Sequence, residues 1–343
     1  MSHPSPHPQH HVHQHDAHQH DVHQHDVHQH GGHPHGDQHQ GPDGRPHQQD
    51  GHQQDGHRHD GHQHGGHQHE GPEGDTHDQT ELLDLDAEVL AEHTASVIAW
   101  LPVGPGPRRI VDLGCGTGAG TLALAERFPA AGLTAVDSSA VHLERLREKA
   151  AAIGAADRVR LVEADLDAPD WPDLGRPELV WASASMHHMA DPDRTLRQVH
   201  DLLAPGGLFA VVELAGFPRF LPGDAPADAP GLEERCHAAL DRRHAEQLPH
   251  RGADWGTLLR KAGFTVEGER TITVDIAAPR TDAVGRYALS SLRRMRGGIE
   301  SELSPADLAA LDRLLDTDGP HSILRRDDLS VRTERTVWAA RRA

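Results

Sequence analysis

Cysteine is scarce in this sequence. Only Cys115 and Cys236 occur among the 343 residues, and neither has a partner at metal-binding or redox spacing. A disulfide framework and a cysteine-based zinc site are therefore not predicted. This usage is typical of a reducing compartment, and we expect a cytoplasmic protein.

Long apolar runs and an excess of positive charge are also lacking. No stretch of about 18 apolar residues is present, and the first residues do not form a basic segment followed by an apolar one. The formal net charge is -20, whereas a nucleic-acid-binding surface needs cationic side chains to neutralise phosphates. We expect neither a membrane nor nucleic acid as a partner, and a small molecule as the substrate.

Leucine, isoleucine and phenylalanine are absent from residues 1–78, which hold most of the 33 histidines. Units of the type His-Gln-His-Asp recur there. A segment of this composition cannot bury enough apolar surface to offset its loss of conformational entropy. We predict a disordered tail over residues 1–78 and one α/β domain over residues 79–343.

The imidazoles of this tail are spaced so that neighbouring pairs can bind one zinc, nickel or cobalt ion, with aspartates completing the coordination. Two interpretations remain open. The tail is a metal-binding or metal-delivery segment for which the domain serves as a sensor, or it is a tolerated low-complexity segment that binds metal adventitiously.

The first strong motif of the domain joins an apolar run, a glycine loop and a helical pattern over residues 109–128. Gly114, Gly116 and Gly118 allow the backbone to approach a ligand with no Cβ atom between them. The spacing also satisfies the G-x-G-x-x-G/A pattern of a dinucleotide loop, so an NAD(P)-dependent oxidoreductase is an alternative.

Two carboxylates near this loop favour a cationic ligand that carries a ribose. Asp112, two residues before the first glycine, would repel a pyrophosphate but accept a hydrogen bond from an ammonium group. Asp137 ends the second predicted strand, about 20 residues beyond the loop, where an acid accepts the ribose hydroxyls. Ser138 is expected beside the same ligand, with Ser138 or Ser139 as the cap of the following helix.

The segment D-L-G-C-G-T-G at residues 112–118 resembles the first motif of class I S-adenosylmethionine-dependent methyltransferases. The resemblance implies a doubly wound, mostly parallel sheet of seven strands whose last strand is antiparallel. It also implies that Asp165 and Leu166 bind the adenine. Ala182 ends the fourth predicted strand, where cofactor and acceptor should meet. The expected reaction is methyl transfer from S-adenosylmethionine to a small molecule.

Helical periodicity predicts one helix over residues 81–101 and two helical insertions, at residues 217–249 and 281–328. The insertions are expected to form a cap that selects the acceptor. Their mixture of charged and apolar residues suggests an acceptor that is neither strongly charged nor wholly apolar. After the fourth strand, His187 and His188 are candidates for a general base, or they line the pocket without reacting.

Overall fold

The computed structural model describes residues 72–104, 106–248, 250–276 and 282–343. The predicted tail therefore lies almost entirely outside the described residues.

Two helices come first, α1 (Pro72–Val89) and α2 (Ala91–Trp100). The prediction of one helix over residues 81–101 is wrong, because the backbone leaves the helical conformation at Leu90, whose φ and ψ are -101° and 13°. Helix α1 also begins six residues before the predicted end of the tail.

A seven-stranded sheet follows. Its strands are β1 (Arg109–Leu113), β2 (Gly132–Asp137), β3 (Val159–Glu163), β4 (Leu179–Ser183), β5 (Leu208–Leu214), β6 (Phe264–Ile276) and β7 (Val331–Arg342). Their order is β3-β2-β1-β4-β5-β7-β6. Strands β1 to β5 pair in parallel, and β7 runs antiparallel to both β5 and β6. The predicted mostly parallel sheet with an antiparallel last strand is confirmed.

Seven more α-helices among the described residues connect or cap these strands. They are α3 (Ala119–Arg127), α4 (Ala140–Ala152), α5 (Pro192–Leu202), α6 (Leu232–Gln247), α7 (Trp255–Lys261), α8 (Asp282–Ile299) and α9 (Pro305–Leu315). Helices α2 and α3 pack on the sheet face that carries Ile110 and Trp181. Helices α5 and α7 pack on the opposite face, against Val111 and Phe209. Successive side chains of each strand point to opposite faces of the sheet, and helices bury them on both faces. This explains why the strands are almost entirely apolar, as in a doubly wound sheet.

The two predicted insertions form a second apolar core with α1. Leu85 of α1, Cys236 and Leu240 of α6, and Leu292 of α8 are among its buried members. The cap therefore includes α1 as well as the insertions.

No helix among the described residues combines the length and the apolar character needed to cross a bilayer.

Candidate functional site

The glycine loop lies at the carboxyl end of β1, between β2 and the exit of β4. Gly114, Gly116 and Gly118 have φ values of +67°, +53° and +92°, a backbone region that disfavours residues with a Cβ atom. A Cβ atom on Gly114 would lie 2.5 Å from the Cβ atom of Ser185. The loop can therefore contact the segment after β4 only because Gly114 has no side chain.

Asp112 is buried in the sheet immediately before this loop, with 2% of its surface exposed. Its Oδ2 atom accepts a hydrogen bond from the hydroxyl of Thr121 on α3 at 2.6 Å. Burial raises the pKa of Asp112 to about 7, and the negative charge of Asp137 adds to this rise, while the Thr121 bond opposes it. A cation bound beside Asp112 would favour its ionised form.

Asp137, at the end of β2, faces the same loop. Its two carboxylate oxygens accept hydrogen bonds from the N–H groups of Gly116 at 2.8 Å and Ser139 at 2.9 Å. The Nδ1 atom of His142 lies 3.3 Å from Oδ1. Burial alone would raise the pKa of Asp137, but the hydrogen bonds from His142, Ser139 and Gly116 hold it below its ordinary value. Asp137 is therefore ionised at neutral pH.

The third predicted carboxylate, Asp165, is exposed on the loop after β3. One of its oxygens accepts the N–H of Asp167 at 2.8 Å, the hydrogen bond of an acidic turn. Leu166 is 6% exposed, and its carbonyl accepts the indole N–H of Trp171 at 3.2 Å. The loop is tied to the second strand, because the N–H of Ala164 donates to the carbonyl of Asp137 at 3.0 Å.

Ala182 and Ser138, two other predicted cofactor ligands, differ from Asp112 and Asp137 in that neither side chain is a buried polar group. The side chain of Ala182 is completely buried in the core, so only its main chain is available at this edge. Ser138 is exposed, and the cap of α4 is Ser139, whose hydroxyl accepts the N–H of His142 at 3.3 Å.

Helix α1 covers the glycine loop, which the sequence did not predict. A Cβ atom on Gly116 would lie 3.4 Å from a methyl group of Leu83. The neighbouring Asp84 pairs with Arg145 of α4 at 2.8 Å and with Lys149, whose ammonium also donates to the carbonyl of Thr117 at 3.2 Å. These charged contacts join the helix, the loop and α4.

A buried histidine–glutamate pair lies at the exit of β4. The Nδ1 atom of His187 is 2.6 Å from Oε2 of Glu213, which belongs to β5. The other oxygen of Glu213 accepts the N–H groups of Met186 at 2.9 Å and His187 at 3.3 Å. Glu213 therefore fixes both the ring of His187 and the backbone turn that carries it. The signal that sequence reasoning missed is an acid within the otherwise apolar run L-F-A-V-V-E-L.

His188 is exposed beside this pair, with its ring centroid 4.1 Å from that of His187. Phe217 comes three residues after the end of the neighbouring strand β5. The ring of Phe217 is 5.2 Å from that of His244 on α6, and the guanidinium of Arg251 is 4.4 Å from the Phe217 ring and donates to His244 at 2.9 Å. The structure thus brings polar groups from β4, β5 and the cap to one end of the sheet.

Comparison with known proteins agrees with this arrangement. Residues 110–207 match the family model described as a methyltransferase domain. The chain is 37% identical over 123 residues to a trans-aconitate 2-methyltransferase of Acidovorax sp. strain JS42, covering 35% of this chain and 45% of that protein. It is 32% identical over 215 residues to a malonyl-[acyl-carrier protein] O-methyltransferase of Halorhodospira halophila, covering 62% of this chain and 67% of that protein.

Coverage differs among the matches. The chain spans less than half of the length of the first three trans-aconitate 2-methyltransferases that it matches, 45%, 38% and 42%. A solved geranyl diphosphate C-methyltransferase of Streptomyces coelicolor A3(2) is 14% identical, with a TM-score of 0.42 and coverage of 74% of this chain and 76% of that one.

The methyltransferase-domain match spans β1 to the turn before β5, and therefore contains the glycine loop and the carboxylates at the carboxyl ends of the first three strands. The longer match extends the likeness to two thirds of a relative that is 32% identical. The chain belongs to the class I S-adenosylmethionine-dependent methyltransferases.

Proposed function

We propose that the protein transfers a methyl group from S-adenosylmethionine to a small-molecule acceptor. The observation that carries this proposal is the placement of Asp112, Asp137 and Asp165 at the carboxyl ends of three adjacent parallel strands, the same edge that carries the glycine loop. This edge is where open α/β sheets bind ligands. The three carboxylates fit a ligand with a cationic end and a diol. They would repel an anion that carries several phosphates.

Each acid takes a distinct part of that ligand. Asp137, ionised and directed at the glycine loop, accepts the ribose hydroxyls. Asp112 compensates the ammonium of the amino acid end, while Asp165 and the main chain of Leu166 bind the adenine. Bound S-adenosylmethionine would supply a methyl group on a sulfonium, a group that a correctly placed nucleophile can accept as S-adenosylhomocysteine leaves.

The remaining chemistry falls to residues at the exit of β4. Holding the acceptor in line with the methyl group supplies much of the acceleration of such a displacement. The Glu213 carboxylate orients His187 with Nδ1 protonated, which leaves Nε2 as the basic atom of the ring. We propose that His187 removes a proton from an acceptor that must lose one.

The test is a direct comparison of ligands on the full chain. Calorimetry should detect binding of S-adenosylmethionine and S-adenosylhomocysteine and none of NADH or NADPH. Radiolabelled S-adenosylmethionine incubated with fractions of small metabolites should then label a product. Binding of a nicotinamide nucleotide in place of S-adenosylhomocysteine would overturn the proposal in favour of an oxidoreductase.

A further inference from the structure

A buried histidine contacts the carboxylate that we assign to the ribose. His142 is 7% exposed, and its Nδ1 atom lies 3.3 Å from Oδ1 of Asp137. An ionised carboxylate only accepts hydrogen bonds, so Nδ1 carries a proton and donates it to Asp137. This contact joins the side chains of α4 and of the last residue of β2.

The first turn of α4 places the imidazole there. Ser139 caps the helix, and its hydroxyl accepts the N–H of His142 at 3.3 Å. A side chain at the third position of a helix can reach back to the cap residue, as a glutamate does in a capping box. The imidazole of His142 reaches two residues further back, to Asp137.

The other ring nitrogen of His142 has no such bond. Nε2 is buried, and among the residues that the structure describes it has no hydrogen-bond partner. A buried nitrogen without a partner costs free energy, and an apolar side chain of similar size would avoid this cost. Packing alone would therefore favour leucine or methionine at this position. What the imidazole supplies, and these side chains cannot, is the bond from Nδ1 to Asp137.

This bond is one of three that fix the carboxylate of Asp137. Oδ1 also accepts the N–H of Ser139 at 2.9 Å, and Oδ2 accepts the N–H of Gly116 at 2.8 Å. A carboxylate offers about four such positions, so the direction left for a ligand is defined before the ligand binds. The bonds from Ser139 and Gly116 come from the main chain. The bond from His142 comes from a side chain and can be removed by substitution.

We infer that His142 is a positioning residue for cofactor binding, which holds Asp137 in the orientation that accepts the ribose of S-adenosylmethionine. This inference rests on the proposed function, since it depends on the ribose role of Asp137. An acid that is already oriented loses little freedom when the ligand binds, and affinity rises accordingly. The gain is restricted to ligands that have the ribose hydroxyl bound by Asp137.

The test compares ligands that differ only in the ribose. Calorimetry at pH 8, above the pKa of about 7 of Asp112, measures the affinity of the full chain for S-adenosylhomocysteine and for its 2′-deoxy and 3′-deoxy analogues. We expect His142→Leu to weaken S-adenosylhomocysteine about tenfold, as loss of one hydrogen bond to a charged group would. The analogue without the hydroxyl that binds Asp137 should be weakened about twofold or less, because both changes remove the same interaction.

Two further variants serve as controls. His142→Asn keeps a donor, since its amide nitrogen and Nδ1 are both bonded to Cγ, and it should bind S-adenosylhomocysteine within about threefold of the wild type. His93→Leu on α2 removes a half-buried imidazole whose buried Nδ1 has no partner among the described residues. It should leave all three affinities unchanged.

His142→Leu equal to the wild type, or His142→Asn as weak as His142→Leu, would overturn the inference. Equal weakening of S-adenosylhomocysteine and both analogues would also overturn it and would restrict His142 to stabilising α4. A wild type that binds all three ligands equally would overturn it too, because the ribose would have no bond for His142 to support. Failure of the wild type to bind S-adenosylhomocysteine at all would instead overturn the proposed function.

Discussion

The Nδ1 atom of His187 and the Oε2 atom of Glu213 lie 2.6 Å apart, with only 5% of each side chain exposed. A carboxylate accepts, so the imidazole nitrogen facing it must donate, and the ring tautomer follows from this contact. In a buried pair the orientation is costly to change, because either group alone would be left without a partner.

Replacing His187 should therefore lower turnover rather than cofactor affinity. With an acceptor that must lose a proton, we expect His187→Gln to reduce kcat by roughly 100-fold or more, the usual contribution of general base catalysis. Glu213→Gln should cause a smaller loss of kcat, because the ring remains but its orientation weakens. Steady-state kinetics and calorimetry with S-adenosylhomocysteine measure the two effects, and His200→Gln on α5 is the control. An unchanged kcat in His187→Gln would exclude the general-base role. The His187–Glu213 pair would then only stabilise the turn after β4.

Asp112 should make cofactor binding depend on pH. Because its pKa is raised to about 7, the carboxyl is largely protonated below that pH and must lose its proton to compensate a bound ammonium. We expect the affinity for S-adenosylmethionine to fall up to about tenfold per pH unit below pH 7. Asp112→Asn should bind more weakly at pH 8 and lose this dependence. Calorimetry between pH 5.5 and 8.5 is the measurement, and a parallel dependence in the variant would contradict the assignment.

The same residue should cost stability at high pH. The folded-state pKa of Asp112 lies near 7 against an ordinary 3.8, so ionisation above pH 4 favours the unfolded chain and the cost levels off above pH 7. A shift of about three units corresponds to at most about 4 kcal/mol. Asp112→Asn should therefore be more stable than the wild type at pH 8, by less than this limit, and the gain should shrink as the pH falls. Urea denaturation of the ligand-free wild type and Asp112→Asn variant, at pH 8 and at a pH below 7, measures this difference in stability.

Asp137→Ala should weaken S-adenosylhomocysteine binding by about 1.5–3 kcal/mol, because charge-assisted hydrogen bonds to a diol are lost. The variant also loses the bonds from Gly116 and Ser139, so some stability should be lost with the affinity. Ser139→Ala separates the two effects. It removes the cap of α4 but no proposed cofactor ligand, and calorimetry should find its affinity unchanged. Equal affinities in Asp137→Ala and the wild type would exclude the ribose role.

The ion pair between Asp86 of α1 and Arg335 of β7 should stabilise the cap. Arg335 is 15% exposed and donates to both oxygens of Asp86 at 2.7 and 2.9 Å. Tyr287, the only tyrosine of the sequence, donates to the same carboxylate at 2.6 Å. Asp86→Ala leaves a mostly buried guanidinium unpaired and should cost roughly 3 kcal/mol of unfolding free energy. Tyr287→Phe should cost about 1 kcal/mol.

Chemical denaturation measures these losses. Asp228→Ala is the control, since Asp228 and its partner Arg313 are 59% and 46% exposed and such pairs contribute little. A loss in Asp86→Ala no greater than in this control would show that α1 is not held by the buried pair.

The histidine-rich segment should bind several divalent ions without taking part in methyl transfer. Its imidazoles offer many equivalent sites, so zinc or nickel titration should show graded affinity, which falls steeply below about pH 6 as the ligands are protonated. A truncated chain should begin at Pro72, because α1 begins there. It should bind far fewer ions and retain methyl transfer. One tight site of fixed stoichiometry, or loss of cofactor binding on truncation, would contradict this view.

The sheet and the carboxylates beside the glycine loop could be predicted because they depend on local patterns. Asp112 and Asp137 each follow from their position relative to a strand end, which the sequence displays directly. Glu213 required the pairing of β4 with β5 to be known, since it acts on a turn 26 residues earlier. Its burial in an apolar strand was visible, but its partner was not.

The packing of α1 on the glycine loop could not be predicted either, and the reason is different. Leu83 and Asp84 look like ordinary positions of an amphipathic helix, and only the break at Leu90 turns α1 over the cofactor edge.

The position of β7 between β5 and β6 constrains how the chain can fold. Strand β6, thirteen residues long, can join the sheet only through β7, which lies between it and β5, and α8 and α9 separate the two strands in sequence. Until β7 pairs with them, the edges of β5 and β6 both expose unpaired backbone groups, which invite pairing with other chains. Formation of this long-range pair should therefore be a slow step of refolding.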